Sequence, residues 1–167
     1  SIVWGRQVYR WSDLDFEANK RDGNGIDWPI RYKDIAPWYS HVEKYIGVQG
    51  SYENLPQLPD SEFQPAMELN YAEKIVKKGI ESNFEGRNLI IGRSANMTEA
   101  KPDQDREACN YRNQCVGGCS FGAYYSSVGV TLPAADRTGN LTLKANSVVS
   151  SLEYDAKGKK VTGVRVI

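Results

Sequence analysis

Long apolar runs are missing from this chain: no stretch of about 18 hydrophobic residues occurs, so no segment has the makings of a membrane-crossing helix. Net charge is missing too. Lys and Arg total 21, Asp and Glu total 21, and the formal charge is +0. That balance argues against a nucleic-acid or acidic-membrane surface, and neither is expected as a partner. Histidine occurs once, at His41, with no nucleophile or acid patterned around it, so an exposed helix position is expected in place of a catalytic one. Cysteine occurs three times, an odd count that does not suit a secreted disulfide framework. No C-x-x-C pair exists, which removes the redox dithiol and the paired zinc knuckle. A dinucleotide fingerprint is absent as well: Gly23-x-Gly25 lacks the third glycine and follows no expected strand. There is no repeat and no low-complexity segment.

What is present suits a compact domain. The 167 residues are enough for one real core, and the 40% hydrophobic fraction is ordinary. Four Trp and ten Tyr are a heavy aromatic load, which either fills that core or lines a site. The chain opens on Ser-Ile-Val-Trp and closes on an apparent strand, so both ends are expected to be cut from something longer.

Local signals divide the chain. Ser12 is placed to N-cap a short helix over residues 12–18, with Asp15 near its third position. Asp22-Gly23-Asn24-Gly25 marks a turn. Asp34 is expected to cap an amphipathic helix whose stripe is Ile35, Trp38, Tyr39, Val42, Tyr45 and Ile46, with Pro37 in its first turn and Gly47 at its end. Residues 49–66, with Pro56, Pro59 and Pro65, read as an ordered surface loop. A second amphipathic helix is expected over 69–84, through Leu69, Ala72, Ile75, Val76, Ile80 and Phe84. Residues 88–92 read as a short buried strand. A short helix begins near Thr131–Pro133 and stops at Gly139. Strands follow over 140–144, 148–154 and 161–167, the last two joined by a turn at 155–158. The expected class is α+β, with helices packed on a mostly antiparallel sheet and the C-terminal hairpin its firmest part.

The most specific signal is the clustering of Cys109, Cys115 and Cys119, spaced C-x5-C-x3-C with Gly117-Gly118 between the last two. Three thiols this close suit a metal or an iron–sulfur cluster, and the glycines let the backbone fold tightly around it. Four cysteines normally hold a four-iron cluster, so three thiolates fit a three-iron, four-sulfur cluster better. Spacing alone leaves open another reading, three small buried residues in a Gly-rich loop with one disulfide.

The neighbouring residues add a resemblance. Cys109-Asn110-Tyr111-Arg112, Gly117-Gly118-Cys119-Ser120-Phe121-Gly122-Ala123 and Tyr124-Tyr125-Ser126 form one string. It resembles a segment of bacterial glucose–methanol–choline oxidoreductases, flavoproteins that oxidise alcohol groups. So do Trp4-Gly5-Arg6-Gln7, Tyr9 to Phe16, Asp27-Trp28-Pro29-Ile30, Asp34 to Tyr39 with Glu43, Leu58-Pro59-Asp60 and Thr138 to Leu143. The resemblance runs nearly end to end.

It implies an internal piece of an enzyme that uses flavin adenine dinucleotide (FAD) to oxidise CH–OH groups of alcohols or sugars. Residues 1–10 would be a remnant of the flavin loop, 11–139 part of the substrate domain with the cysteine loop 109–119, and 140–167 strands of the FAD domain. Ser1, Trp4 and Gly5 would pass the flavin ring, with Trp4 standing where many members carry Asn. Val149 would meet the adenine through its main chain. No catalytic residue is expected within this chain, because the family's general base is a histidine nearer the C-terminus; the piece alone would be inactive. Trp11, Trp28 and Trp38 are candidates to stack on a sugar. The cysteine spacing resembles the large subunits of bacterial FAD-linked sugar dehydrogenases, with Val116-Gly117 where those carry Met-Pro. There three cysteines bind a three-iron, four-sulfur cluster that passes electrons from flavin to a cytochrome, beside a small subunit. The implied partners are therefore an alcohol or sugar and such an electron acceptor, in bacterial cytoplasm or periplasm. The competing reading is a non-catalytic iron–sulfur or zinc-binding module, and beyond it a plain interaction domain.

Overall fold

A computed structural model describes residues 4–167. The chain divides into two units, one ending at Pro133 and the other running Ala134–Ile167. The helices are α1 (Asp13–Phe16), α2 (Ala18–Asp22), α3 (Tyr32–Ile46), α4 (Tyr71–Asn83) and α5 (Leu132–Asp136). The strands are β1 (Val149–Asp155) and β2 (Lys160–Val166). The class is α+β, as expected.

Short helices in the first unit are held by their caps. Ser12 accepts from the Leu14 amide at 3.2 Å, and Asp15 Oδ2 accepts from the Ser12 amide at 2.7 Å, which makes α1 a capping box. Glycine ends α2 at Gly23, φ +70°. Helix α3 starts earlier than expected. Arg31 is its N-cap, and Asp34 sits three residues in, its carboxylate accepting from the Arg31 amide at 2.9 Å. The acid of a capping pair carries as strong a signal as the cap itself, which is why Asp34 reads as the start. Pro37 consequently lies in the second turn and removes one amide from the helix ladder. Gly47 ends α3 at φ +75°.

The buried face of α3 also differs from its apolar stripe. Ile46 and Glu43 are buried, while Trp38 is 68% exposed and Val42 is 50% exposed. A polar demand rotates the helix: Glu43 takes both Nε and Nη2 of Arg10, Nη2 at 2.6 Å. Tyr32, Ser40 and Ser61 hydroxyls accept the remaining Arg10 donors. Burial is the largest single influence on the Arg10 pKa and works to lower it, but hydrogen bonding and charge interaction with Glu43 and Tyr32 together hold it above the ordinary value.

Extended segments meet around residues 93–97 through isolated bridges, not long ladders. Ser94 pairs with both Gln7 and Gln49, Gln49 also with Gln64, and Asn96 with Tyr124. Val8 donates to Arg93 O, Ala95 to Arg6 O, Met97 to Ala123 O and Tyr125 to Ala95 O. Ile46, Val48 and Ala95 form the core cluster, with Trp4, Val8, Tyr45, Phe63 and Tyr125 against it. The strand expected at 88–92 therefore does not form; its β-prone residues lie just ahead of the segment that finds partners. Within the loop 49–66, Gln49 is buried, its amide donating to Gly92 O and Ser94 Oγ. Helix α4 begins at Tyr71 under an Asn70–Glu73 capping box, leaving Leu69 outside, and Phe84 is its C-cap. None of its residues is buried.

In the second unit, α5 ends before a turn closed at Gly139, φ +71°. Residues 140–144 form no strand, a correction to the sequence reading: Leu141 and Leu143 alternate with polar residues, but the segment has no ladder partner among the described residues. Strands β1 and β2 pair antiparallel, Val149 opposite Val166 and Asp155 opposite Lys160, with irregularities between Val149 and Ser151 and between Glu153 and Tyr154.

Candidate functional site

The three cysteines lie in the first unit on a loop whose neck is hydrogen-bonded between its stems and to the segment at Met97. The Cys109 amide donates to Met97 O at 2.9 Å and the Glu107 amide to Phe121 O at 2.9 Å. Inside the loop, Cys115–Gly117 makes one 3-10 turn, and Gly118 donates to Cys115 O at 3.3 Å. Tyr111 and Asn113 take left-handed backbone at φ +53° and +54°, and Gly118 has φ +110°. These turns wind the backbone tightly; for Tyr111 the left-handed state costs about 1–2 kcal/mol, which the surrounding contacts must hold in place. Arg112 spans the loop, donating to Ser120 Oγ at 3.1 Å and lying 5.6 Å over the Phe121 ring.

All three thiols are free and half-buried. All three line one small hollow, open to solvent, together with Arg112, Gln114, Gly118 and Phe121. The disulfide alternative is thus not taken in this structure. Three soft donors on one hollow match in kind what a thiolate-held cluster needs. Their positions are looser than their chemistry: among the described residues no three His, Cys, Asp or Glu groups are drawn together to ion-holding distance. Seating a cluster would require the loop to tighten.

A second cleft adjoins this hollow. It is lined by Trp4, Tyr124, Tyr125, Ser126, Ser127 and Gly129, and by Cys119 and Gly118, which belong to the first hollow as well. Trp4 is fixed as a wall by its indole N–H, which donates to Tyr125 O at 2.8 Å, and by an edge-on contact with the Tyr125 ring. Gly5 is exposed, and a side chain there would meet nothing within 4 Å. Ser126 caps the wide turn Ser127–Thr131 by accepting from the Gly129 amide at 3.1 Å. The sharing of Cys119 between the two clefts was not legible from the cysteine spacing. Tyr124, in the wall of the second cleft, is bridged to Asn96, a contact between distant segments.

The other candidates are scattered. Ser1 lies outside the described residues. Val149 is in the second unit, on β1 opposite Val166, and is 54% exposed. Trp11 and Trp28 come together, rings 5.6 Å apart and both packed edge-on to Phe16, with nearly half of each ring exposed. Trp38 stands apart on α3. His41 is exposed on α3 and lines neither cleft. Among the described residues no helix is long and apolar enough to cross a membrane.

No protein-family profile matches the chain. It is similar to the fructose dehydrogenase large subunit of Gluconobacter japonicus, 27% identical over 160 residues, which is 93% of this chain and 28% of that protein. It is similar to paromamine 6'-oxidase of Streptomyces fradiae, 27% identical over 161 residues, again 93% of this chain and 28% of that one. A third relative, 6'''-hydroxyparomomycin C oxidase of Streptomyces lividus, is 24% identical over 176 residues, covering 100% of this chain and 31% of its own length. The chain therefore spans less than a third of the relatives it matches.

Proposed function

We propose that this chain is the middle segment of an FAD-dependent oxidoreductase of the glucose–methanol–choline type, acting on CH–OH groups of sugars or alcohols. The carrying observation is the double role of Cys119, which lines both the thiol hollow and the cleft walled by Trp4. Trp4, one of the residues expected to pass the flavin ring, and the cysteines expected to take up electrons thus face adjoining spaces. Similarity to three sugar-handling dehydrogenases and oxidases along almost the whole chain supports the same reading.

FAD, when bound, would supply the acceptor for hydride from the alcohol carbon. The chain's own residues have simpler tasks. Trp4, locked by the Tyr125 carbonyl, would present a rigid face and exclude water from the cleft. Cys109, Cys115 and Cys119 would hold a three-iron, four-sulfur cluster, the electron exit toward a cytochrome partner. Trp11 and Trp28 would offer their open faces to a sugar ring. No residue here is assigned as the general base.

A second reading has its own observation. Two of the relatives are oxidases by name, and the three thiols are not gathered. On that reading the cysteines are structural and reduced flavin is reoxidised directly. Iron and acid-labile sulfide in the full-length protein, purified without oxygen, separate the two. About three irons per chain, lost in C109S, C115S and C119S alike, establish the relay. Bound flavin without iron establishes the second reading, and absence of flavin as well overturns both.

A further inference from the structure

Arg106 is 1% exposed, yet among the described residues no ion pair joins it to a carboxylate. Its donors are used on neutral groups. Nε donates to Gly122 O at 2.9 Å, Nη1 to Ile46 O at 2.7 Å and to Gln104 Oε1 at 3.1 Å, and Nη2 to Ala123 O at 3.2 Å. Burial pushes this guanidinium below its ordinary pKa; Tyr125, Asp103, Cys119 and Tyr45 act in the opposite sense. A charge buried this fully is expensive unless something negative faces it. The C-terminal carbonyl of α3 at Ile46 supplies part of that.

Its place in the loop supplies the rest of the account. Arg106 lies just before Glu107, which pairs with Phe121, and it grips Gly122, whose amide donates to Cys119 O at 3.1 Å. A Cβ on Gly122 would come within 3.3 Å of Arg106 Cγ, so the two stems pass closely here. One side chain therefore ties both stems of the cysteine loop to the end of α3.

We infer that Arg106 is a positioning residue for the cysteine loop: it clamps the loop's neck to α3 and fixes a positive charge near Cys119 that favours the reduced form of a cluster held there. The clamp stands on geometry alone; the charge role rests on the cluster reading above. Reduction adds one electron's negative charge to the cluster, and a cation fixed in a low-dielectric surround stabilises that form.

The test uses the full-length protein, purified without oxygen, as wild type, R106Q and R106K. Three quantities are read: iron per chain, the cluster's reduction potential followed by electron paramagnetic resonance, and amide hydrogen exchange at Cys109 and Gly122. R106Q is expected to exchange about tenfold faster at both amides, to lose iron, and to hold any remaining cluster at a lower potential. R106K is expected to keep the potential near wild type while its neck still exchanges faster, because Lys carries the charge without the planar set of donors. Wild-type exchange, iron and potential in R106Q overturn the inference. If R106Q does not fold, R106K decides: unchanged exchange removes the clamp, and a lowered potential removes the charge role. If wild type itself holds no iron, the cluster reading and the charge role fall together, and the exchange rates still decide the clamp.

Discussion

Arg10 and Glu43 form a buried bidentate ion pair, both side chains 2% exposed, with Arg10 Nη2 2.6 Å from Glu43 Oε2. Removing one partner leaves the other charged and buried. E43Q and R10M are each expected to lose about 3–5 kcal/mol. Denaturant unfolding of the parent protein reads this, and the double variant should lose less than the sum of the two. Strict additivity would mean that the pair is not a coupled unit.

Gly47 ends α3 at φ +75°, and a Cβ there would collide with the Met97 sulfur. The left-handed backbone alone costs a non-glycine residue about 1–2 kcal/mol. G47A is expected to destabilise by at least that amount. Adding M97A should not recover the loss, since it relieves the collision but not the backbone and opens a cavity. Full recovery in thermal melts would show that only the collision matters.

Asn70 and Glu73 make reciprocal capping bonds, Glu73 N to Asn70 Oδ1 at 3.0 Å and Asn70 N to Glu73 Oε2 at 2.7 Å. No residue of α4 is buried, so local terms carry more of this helix than usual. N70A is expected to cost about 1 kcal/mol. Its effect should appear as faster hydrogen exchange confined to the first turn of α4, with the amides of residues 93–97 unchanged.

Lys101 donates to the carbonyls of Lys44 and Tyr45 at the end of α3, and burial holds its pKa below the ordinary 10.5. A lowered folded-state pKa means that the unfolded chain binds more protons between the two values, so stability rises with pH there. Wild type should therefore gain stability relative to K101Q as pH rises from the folded-state value toward 10.5, and the difference should be constant below that window and above it. A gap that shrinks with rising pH would contradict the burial of this charge.

Signals that act within a few residues were readable in the sequence. Ser12 with Asp15, Gly47 and Gly139 do what their residue types dictate, because the partners lie within one turn. The β1–β2 hairpin is legible for the same reason. Asp34 was misplaced by three residues because a capping acid and a cap look alike in one dimension. Residues 88–92 and 140–144 have strand composition but no neighbour to pair with, and pairing is decided by distant segments. Trp38 shows the same limit in a helix: its place on an apolar stripe did not bury it, because Glu43 was drawn inward by Arg10. The cysteine loop could be located by spacing. Its neck, its clamp at Arg106 and its shared wall with Trp4 depend on contacts that spacing does not encode.

The bond from the Trp4 indole to the Tyr125 carbonyl joins residues 121 positions apart, and Arg6 and Val8 pair with residues 93–95. Such long separations delay folding, since a large loop must close before its contacts repay the lost entropy. On the ribosome Trp4 emerges well before Tyr125 and waits for it. At 5–20 residues per second, roughly ten seconds pass before Tyr125 follows. Arg6 and Val8 can pair once residues 93–95 have emerged, but through the whole of that interval the Trp4 indole has no Tyr125 carbonyl to donate to and stays open to chaperones.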